Sequence, residues 1–301
     1  MNPTTGFSNV HKKRPPKPKK WSDFRSFVFT QSGWSIEGNK FRINKVTTVR
    51  FSKSRDYYDI KNIRVKRDSV GDWWLIILSS RGMEELPNRK SHKGASVGFD
   101  FSLKEFMVSS DCTAITPPRF YYDSQSELKR LNRNLSLKKK GSKNRTKAKK
   151  ELALLHRKIS DKRRDYYWKL ANDLCTKYSF ISLETLDTES MKSVWGKKVS
   201  DLGFAQFVSI LHHVAGKKGT TVHHIDKWYP SSKTCGDCES VNKELKLSDR
   251  SWVCTSCGVE HNRDKNAAKN ILRQGIVEYQ SQSKPPLSGV SDVDGKESLR
   301  L

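Results

Sequence analysis

Apolar positions along this 301-residue chain keep two different rhythms. Between Ser26 and Ser80 they fall at roughly every second residue in short runs. These are Phe41-Arg42-Ile43, Thr47-Thr48-Val49-Arg50-Phe51, Ile60-Lys61-Asn62-Ile63-Arg64-Val65 and Asp72-Trp73-Trp74-Leu75-Ile76-Ile77-Leu78. Period-two alternation puts successive side chains on opposite faces of a strand, so this stretch is expected to be β-rich, with turns at Gly38-Asn39 and Gly71-Asp72. Basic side chains alternate with the apolar ones. That fits either an ordinary half-buried sheet with a solvated face or a small barrel whose basic face meets phosphates. Arg81 to Gly94 reads as a loop. Ala95 to Phe101 reads as a buried strand, Lys104 to Ser110 as its antiparallel neighbour, and Pro117-Pro118 as a break.

The rhythm then lengthens. Leu128, Leu131 and Leu135 lie on one helical face, and Ala148, Leu152, Leu155 and Ile159 on another. The turn between them, Lys138-Lys139-Lys140-Gly141-Ser142-Lys143-Asn144-Arg145, carries five cations. The segment from Asp123 to Tyr178 is therefore expected to be a helical hairpin with a basic outer surface. Tyr178 to Leu183 is a further apolar strand, ending at Glu184. Trp195 to Leu202 reads as a polar loop. Phe204 to Ala215 reads as a helix with Phe204, Phe207, Ile210, Leu211 and Val214 inward, Thr220 to Trp228 as a strand, and Asp264 to Tyr279 as a closing helix. Residues 1–20 have the composition of a flexible basic arm, and residues 280–301 that of a disordered tail.

Charge narrows the partners. There are 58 Lys and Arg against 32 Asp and Glu, a formal net charge of +26. From Glu127 to Lys169 the count is 17 basic to 4 acidic residues. Like charges crowded along a helix destabilise it when isolated, so a polyanion partner is implied. Nucleic acid fits better than a membrane. The chain has no apolar run of the ~18 residues that a spanning helix needs, and its basic N-terminus lacks the apolar centre of a signal peptide.

Four of the six cysteines form two pairs, Cys235/Cys238 and Cys254/Cys257, with two residues inside each pair and fifteen between the pairs. This is the spacing of a four-thiolate zinc site. Each short turn aims two sulfurs at one point, and the spacer lets a hairpin complete the tetrahedron. Four thiolates leave no open position, so such a zinc is structural. Cys112 and Cys175 have no evident mates, which is the usage of a reducing compartment.

Three acids stand at element ends. Asp100 lies between two phenylalanines, Glu184 closes an apolar strand, and Asp264 opens the last helix just past the cysteines. A carboxylate inside an apolar strand costs several kcal/mol to bury unless it is paired or holds a cation. Taken singly, Asp264 could be a helix cap and the other two solvent-facing strand ends. Taken with the order β–β–α–β–α–β–zinc–α, the set is more specific.

That order looks like a ribonuclease H-like fold of the RuvC type, and four stretches resemble the TnpB (OrfB) family of insertion-sequence transposons, relatives of the compact type V CRISPR nucleases. Gly98-Phe99-Asp100-Phe101-Ser102-Leu103-Lys104 is similar to the first RuvC motif. Ile181-Ser182-Leu183-Glu184-Thr185-Leu186 is similar to the second. Tyr229-Pro230-Ser231-Ser232-Lys233-Thr234-Cys235 through Cys257 is similar to the zinc insertion. Arg263-Asp264-Lys265-Asn266-Ala267-Ala268-Lys269-Asn270-Ile271 is similar to the third motif. Two departures accompany the match. Asn262 stands where the family usually has an aspartate, and the β-rich part before Asp100 is shorter than in family members, whose recognition lobe is expected to be missing here.

The resemblance implies a mixed α/β chain: a RuvC-like core over residues 94–230 with a helical insertion at 123–178, a zinc ribbon at 231–260 and a last core helix at 261–279. A partial, wedge-like β-barrel at 21–93 is expected to precede the core. It implies an RNA-guided DNA endonuclease, with a guide RNA from the transposon end and target DNA as partners. Asp100, Glu184 and Asp264 would hold two Mg²⁺ ions, Asp100 bridging both, and Lys138, Lys139, Lys140, Lys143 and Arg145 would meet nucleic acid. The alternative is a shortened relative that grips RNA and DNA without cutting. A zinc-ribbon RNA-binding factor outside this family would leave the strand acids unexplained.

Overall fold

A computed structural model describes residues 24–80, 94–116, 119–187, 193, 196, 199–246 and 248–283, apart from 31 and 55. The basic arm, the loop read before Gly94, Pro117-Pro118 and the tail beyond residue 283 lie outside the described residues. The chain divides into two compact units, residues 1–86 and 87–301.

The described residues of the first unit form six strands: β1 (Ser26–Phe29), β2 (Trp34–Glu37), β3 (Lys40–Ile43), β4 (Thr47–Arg50), β5 (Tyr58–Arg67) and β6 (Trp73–Ser80). They form two antiparallel three-stranded sheets, ordered β1-β5-β6 and β2-β3-β4. An edge-to-face pair of Phe29 and Phe41, 5.6 Å between centroids, joins them. The buried apolar residues here are Phe41, Ile63 and Val70. Asp68 builds the β5–β6 turn: its Oδ1 accepts the N–H groups of Val70, Gly71 and Asp72, each at 2.9 Å, and its Oδ2 accepts Trp74 Nε1–H at 3.0 Å. Register pairs Arg64 with Ile76 and Lys66 with Trp74. Cations and large apolar groups therefore share one exposed face.

The second unit is built on a five-stranded sheet of β7 (Ala95–Phe101), β8 (Met107–Ser109), β9 (Ala114–Ile115), β10 (Tyr178–Glu184) and β11 (Thr221–Ile225). Its order is β11-β10-β7-β8-β9. β7, β8 and β9 form an antiparallel meander, while β10 runs parallel to both β7 and β11. Parallel neighbours need long crossovers. The one between β9 and β10 contains a short helix α1 (Phe120–Asp123), then α2 (Gln125–Ser136) and the 35-residue α3 (Lys143–Lys177). The one between β10 and β11 contains α4 (Phe204–Lys218). The cysteine hairpin, β12 (Ser251–Val253) and β13 (Glu260–Asn262), leads into α5 (Arg263–Ser283).

Strand parity divides the work of the sheet. Val97, Phe99, Phe101, Ile181 and Leu183 enter the main core with Tyr167 and Leu174 of α3 and Phe204, Phe207 and Leu211 of α4. At its centre Phe106 stacks on Tyr167 and on Phe204, at centroid distances of 5.2 and 5.3 Å. The residues of opposite parity, Gly98, Asp100, Ser182 and Glu184, belong to the other face. That face is covered by α5: Ser182 Oγ donates to the Ile271 carbonyl at 2.8 Å.

Several expected bounds needed correction. The strand read over Thr220 to Trp228 covers only Thr221–Ile225, because Asp226 Oδ1 accepts the Trp228 N–H and starts a turn, and the helix read over Phe204 to Ala215 continues to Lys218, where Gly219 in the left-handed region ends it. The strand read over Lys104 to Ser110 is confined to Met107–Ser109, because 103–106 form a bend that turns Phe106 inward. The described residues of the loop read over Trp195 to Leu202, Gly196 and Val199 to Leu202, are all helical. Val199 and Leu202, three apart, are buried, and Asp201 pairs with Arg163 at 3.1 Å, so a polar composition concealed a helical turn. The closing helix runs to Ser283, four residues past its expected end, with no Pro or Gly between Tyr279 and Ser283 to stop it.

Candidate active site and metal centres

Asp100 and Glu184 are brought together by the sheet itself. Leu183 pairs with Phe99 in the parallel β7–β10 ladder, so the next residue of each strand is one of the two acids. Both are at strand ends on the α5 face, partly shielded from water. The Glu184 carboxylate accepts a hydrogen bond from the Phe101 backbone N–H, yet burial lifts its pKa to about 7. Burial pushes the Asp100 carboxyl well above the usual range, and the charges of Glu184 and Asp264 add to it, with Arg263 opposing. Asp100 thus senses two acids remote from it in sequence.

Helix α5 delivers the third. Its N-cap is Asn262, whose Oδ1 accepts the Lys265 N–H at 3.1 Å. Asn and Asp serve equally well at this position, so the departure from the family residue keeps the cap, and Asp264 is not the capping group. Asp264 is mostly buried, with a loose ion pair to Arg250 at 3.6 Å. The helix reaches the acids because the strands under it carry almost no side chain. A Cβ added to Gly98 would lie 2.8 Å from Leu272 Cβ and closer still to the Ala268 carbonyl. A Cβ on Gly275 would lie 2.7 Å from Ser182 Cβ. The role of Gly98 on β7 and Gly275 on α5 escaped the sequence reading, since a glycine inside a strand or a helix signals close approach without saying to what.

The cysteines form a second centre. Cys235 Sγ and Cys257 Sγ are 3.7 Å apart, and Cys238 Sγ and Cys254 Sγ 3.6 Å. A tetrahedron with Zn–S bonds near 2.3 Å has edges of about 3.8 Å, so the donor set fits that ion. Cys235 and Cys254 are buried while Cys238 and Cys257 are exposed. Two helpers were not anticipated. Ser240 Oγ lies 3.1 Å from Cys238 Sγ and 3.2 Å from Cys254 Sγ. It is the first cause that draws the Cys254 thiol down to about 5. His261 Nε2 lies 3.1 Å from Cys235 Sγ and packs on Trp252. Among the described residues, the sets of three or more potential metal ligands whose donor atoms all fall within 4.8 Å are the four cysteines and Cys235-Asp237-His261. The three acids are set wider than that.

The basic hairpin follows its pattern. Leu128 and Leu131 of α2 pack on Leu155 and Ile159 of α3, with Leu152 beside them. Ser142 caps α3 through Arg145 N–H. Lys139, Lys140 and Lys143 are exposed and Lys138 half-buried. The Arg145 guanidinium is engaged within the turn, donating to the carbonyls of Leu135 and Lys138 at 2.8 and 3.0 Å. These cations are grouped at the hairpin tip, in the long crossover between β9 and β10 rather than on the strands that carry Asp100 and Glu184.

Two family models match the chain: "Probable transposase" (OrfB of IS605) over residues 79–194 and "Cas12f1-like, TNB domain" over residues 204–271. A "Putative RNA-guided DNA endonuclease" of Streptomyces pristinaespiralis is 30% identical over 282 residues, covering 91% of this chain and 69% of that protein. The chain belongs to the TnpB (OrfB) family. The TnpB-like protein L770 of Acanthamoeba polyphaga mimivirus is 27% identical over 287 residues, and this TnpB-family chain spans 54% of its length. Among solved structures, a Cas12f1–sgRNA–target DNA complex aligns with 82% of this chain and 58% of that one, at 18% identity and a TM-score of 0.48. No helix among the described residues is long and apolar enough to cross a membrane.

Proposed function

We propose that this TnpB-family chain is an RNA-guided DNA endonuclease whose ribonuclease H-like core hydrolyses a phosphodiester at Asp100, Glu184 and Asp264. The observation that carries the reading is the Asp100 carboxyl, pushed up by burial and by the charges of the other two acids. Arg263 offsets this crowding of like charge only in part. It is the arrangement expected of oxygen ligands awaiting a cation, and hard carboxylate donors suit Mg²⁺. The meander followed by two parallel strands, with acids at adjacent strand ends, supports the RuvC-type assignment.

In this reading Asp100, Glu184 and Asp264 would together hold the divalent ions, with Asp100 shared and Glu184 and Asp264 each adding a ligand. A pair of divalent ions bound there would clamp the attacking water and the leaving oxygen of the DNA strand. The Phe101 N–H holds one face of the Glu184 carboxylate. The thiolate centre is read as structural zinc that stabilises the hairpin before α5. The domain plan is that of the sequence with its last helix lengthened: arm 1–20, partial barrel 21–93, core 94–230 with its insertion 123–178, ribbon 231–260 and a last core segment from 261 that runs to Ser283 rather than 279. Guide RNA from the transposon end and target DNA are the partners, met in part by Lys138, Lys139, Lys140, Lys143 and Arg145.

The test is to purify the chain with its co-expressed transposon-end RNA and supply matched DNA with Mg²⁺. Cutting by the wild type that disappears in Asp100→Ala, with RNA and DNA binding intact, supports the proposal. Binding without cutting in the wild type establishes the non-cutting alternative. Unchanged cutting by Asp100→Ala refutes the site.

A further inference from the structure

We infer that Asn266, Asn270 and Arg273 form a latch by which the cysteine knuckle sets the axial rotation of α5, and with it the place of Asp264. They are positioning residues, and the consequence for Asp264 rests on the reading of that residue as a metal-binding acid. The three occupy one stripe of α5, at i, i+4 and i+7, and all three grip the turn that carries Cys235. Asn266 Nδ2 donates to the Thr234 carbonyl at 2.7 Å, and its Oδ1 accepts the Gly236 N–H at 2.8 Å. Asn270 Nδ2 donates to the carbonyls of Ser231 and Thr234 at 2.8 and 2.6 Å. Its Oδ1 accepts from Arg273 Nη2 at 3.0 Å, and Arg273 Nη1 reaches the Gly236 carbonyl at 3.2 Å and Glu239 at 2.9 Å. Asn266 and Asn270 are 3% and 1% exposed. A Cβ on Gly236 would stand 2.9 Å from Asn266 Oδ1, so the turn is shaped to admit this carboxamide.

Between Asp264 and Ile271 the other buried side chains of α5 are apolar; its remaining polar contacts, Ser182 Oγ to the Ile271 carbonyl at 2.8 Å and His223 Nε2 with Glu278 at 2.9 Å, lie at or beyond Ile271. Ala267, Ala268 and Ile271 are fully buried. Apolar packing is non-directional and leaves rotation about the helix axis weakly determined. Hydrogen bonds to fixed backbone groups are directional and determine it. A rotation of about 20° would carry a carboxyl some ~5 Å from the axis by about 2 Å, which is more than a catalytic constellation tolerates. The gripped atoms lie within four residues of Cys235, and Asn266 is two residues from Asp264. Zinc holds the turn, the turn holds the latch, and the latch holds the acid.

The experiment uses the full chain, zinc-loaded, as wild type, Asn270→Asp and Arg273→Gln. Asn270→Asp keeps the shape but sets a carboxylate against two carbonyls, and Arg273→Gln is the milder change should the first misfold. Hydrogen exchange of the segment from Arg263 to Ala268 is measured by mass spectrometry, with zinc content and Mn²⁺ affinity read on the same samples without nucleic acid. Zinc retained at the wild-type level, faster exchange in that segment and a loss of Mn²⁺ affinity of about tenfold or more support the latch. Stripping zinc from the wild type should reproduce both changes, and should add nothing further in Asn270→Asp. Variants that keep zinc and match wild-type exchange and Mn²⁺ affinity overturn it. If exchange rises as expected but Asp100→Asn binds Mn²⁺ as the wild type does, the latch stands and the acid site falls.

Discussion

The two candidate metal centres are built in opposite ways. The thiolate centre draws four ligands from 23 consecutive residues, and its sulfurs already stand at tetrahedral spacing. The carboxylate centre draws one acid from each of two neighbouring parallel strands and a third from a helix 80 residues further on. Sulfurs with a serine hydroxyl and an imidazole beside them are held as a unit. Three carboxyls repel, and only backbone architecture forces them into one region. One centre makes local structure, and the other is made by global structure. The knuckle also supports the acids from outside, because it is the piece against which α5 is braced.

Breaking the knuckle should have the largest effect. Cys235→Ser is expected to lose zinc, and with it ~10 kcal/mol or more of binding free energy that holds the hairpin folded. Zinc content and protease resistance of the segment from Tyr229 to Leu272 check this, and full zinc with full resistance in the variant contradicts it. Gly98→Val strikes the other centre alone. The added branch must displace the α5 backbone at Ala268, costing about 3 kcal/mol or more while zinc stays bound; a melting curve equal to wild type would show that α5 does not sit on β7 so closely.

Glu184→Gln sharpens the contrast by sign. The folded pKa of about 7 exceeds the ordinary 4.5, so the folded chain holds this proton more tightly than the unfolded one. Stability from this group is complete below about 4.5 and is lost as pH rises through about 7. Without divalent ions the variant should therefore be more stable than wild type at pH 8, by up to about 3 kcal/mol, and equal to it near pH 4.5. Mg²⁺ should narrow or reverse the difference. Denaturant titrations at the two pH values decide, and a destabilised variant at pH 8 would mean that burial does not hold the Glu184 proton. The smallest effect is expected at the hairpin tip. Lys139→Gln with Lys140→Gln should leave stability within ~0.5 kcal/mol but flatten the salt dependence of nucleic-acid binding, by about 0.9 in log–log slope for each phosphate that is no longer neutralised. An unchanged slope removes these lysines from the interface.

The regions differ equally in how they could be read beforehand. The hairpin register was visible because Leu128, Leu131, Leu155 and Ile159 repeat on one face, and they are the residues that pack. The turn at Val199 to Leu202 was not visible, because its two apolar residues are separated by Ser200 and Asp201, and the buried acid is explained by Arg163 and the Tyr121 backbone N–H, both far back in the chain. Arg145 looked like one more cation of the tip. Its engagement with the carbonyls of Leu135 and Lys138 depends on where α2 ends, which no charge pattern reveals. Asn262 looked like a loss and proved to be a sufficient cap.

Spacing along the chain was enough to specify the cysteine quartet, the helical faces and the strands that end in acids, because each depends on neighbours a few residues apart. It could not say that Asp100 and Glu184 lie side by side, since a parallel ladder joins strands whose register is written in neither. Nor could it say that Gly98 and Ser182 on the strands, with Gly275 on the helix, let α5 lie close on the sheet, or that Asn266, Asn270 and Arg273 tie that helix to the thiolate turn. Those are matters of close approach between distant segments, and only the folded chain brings their atoms within reach of one another.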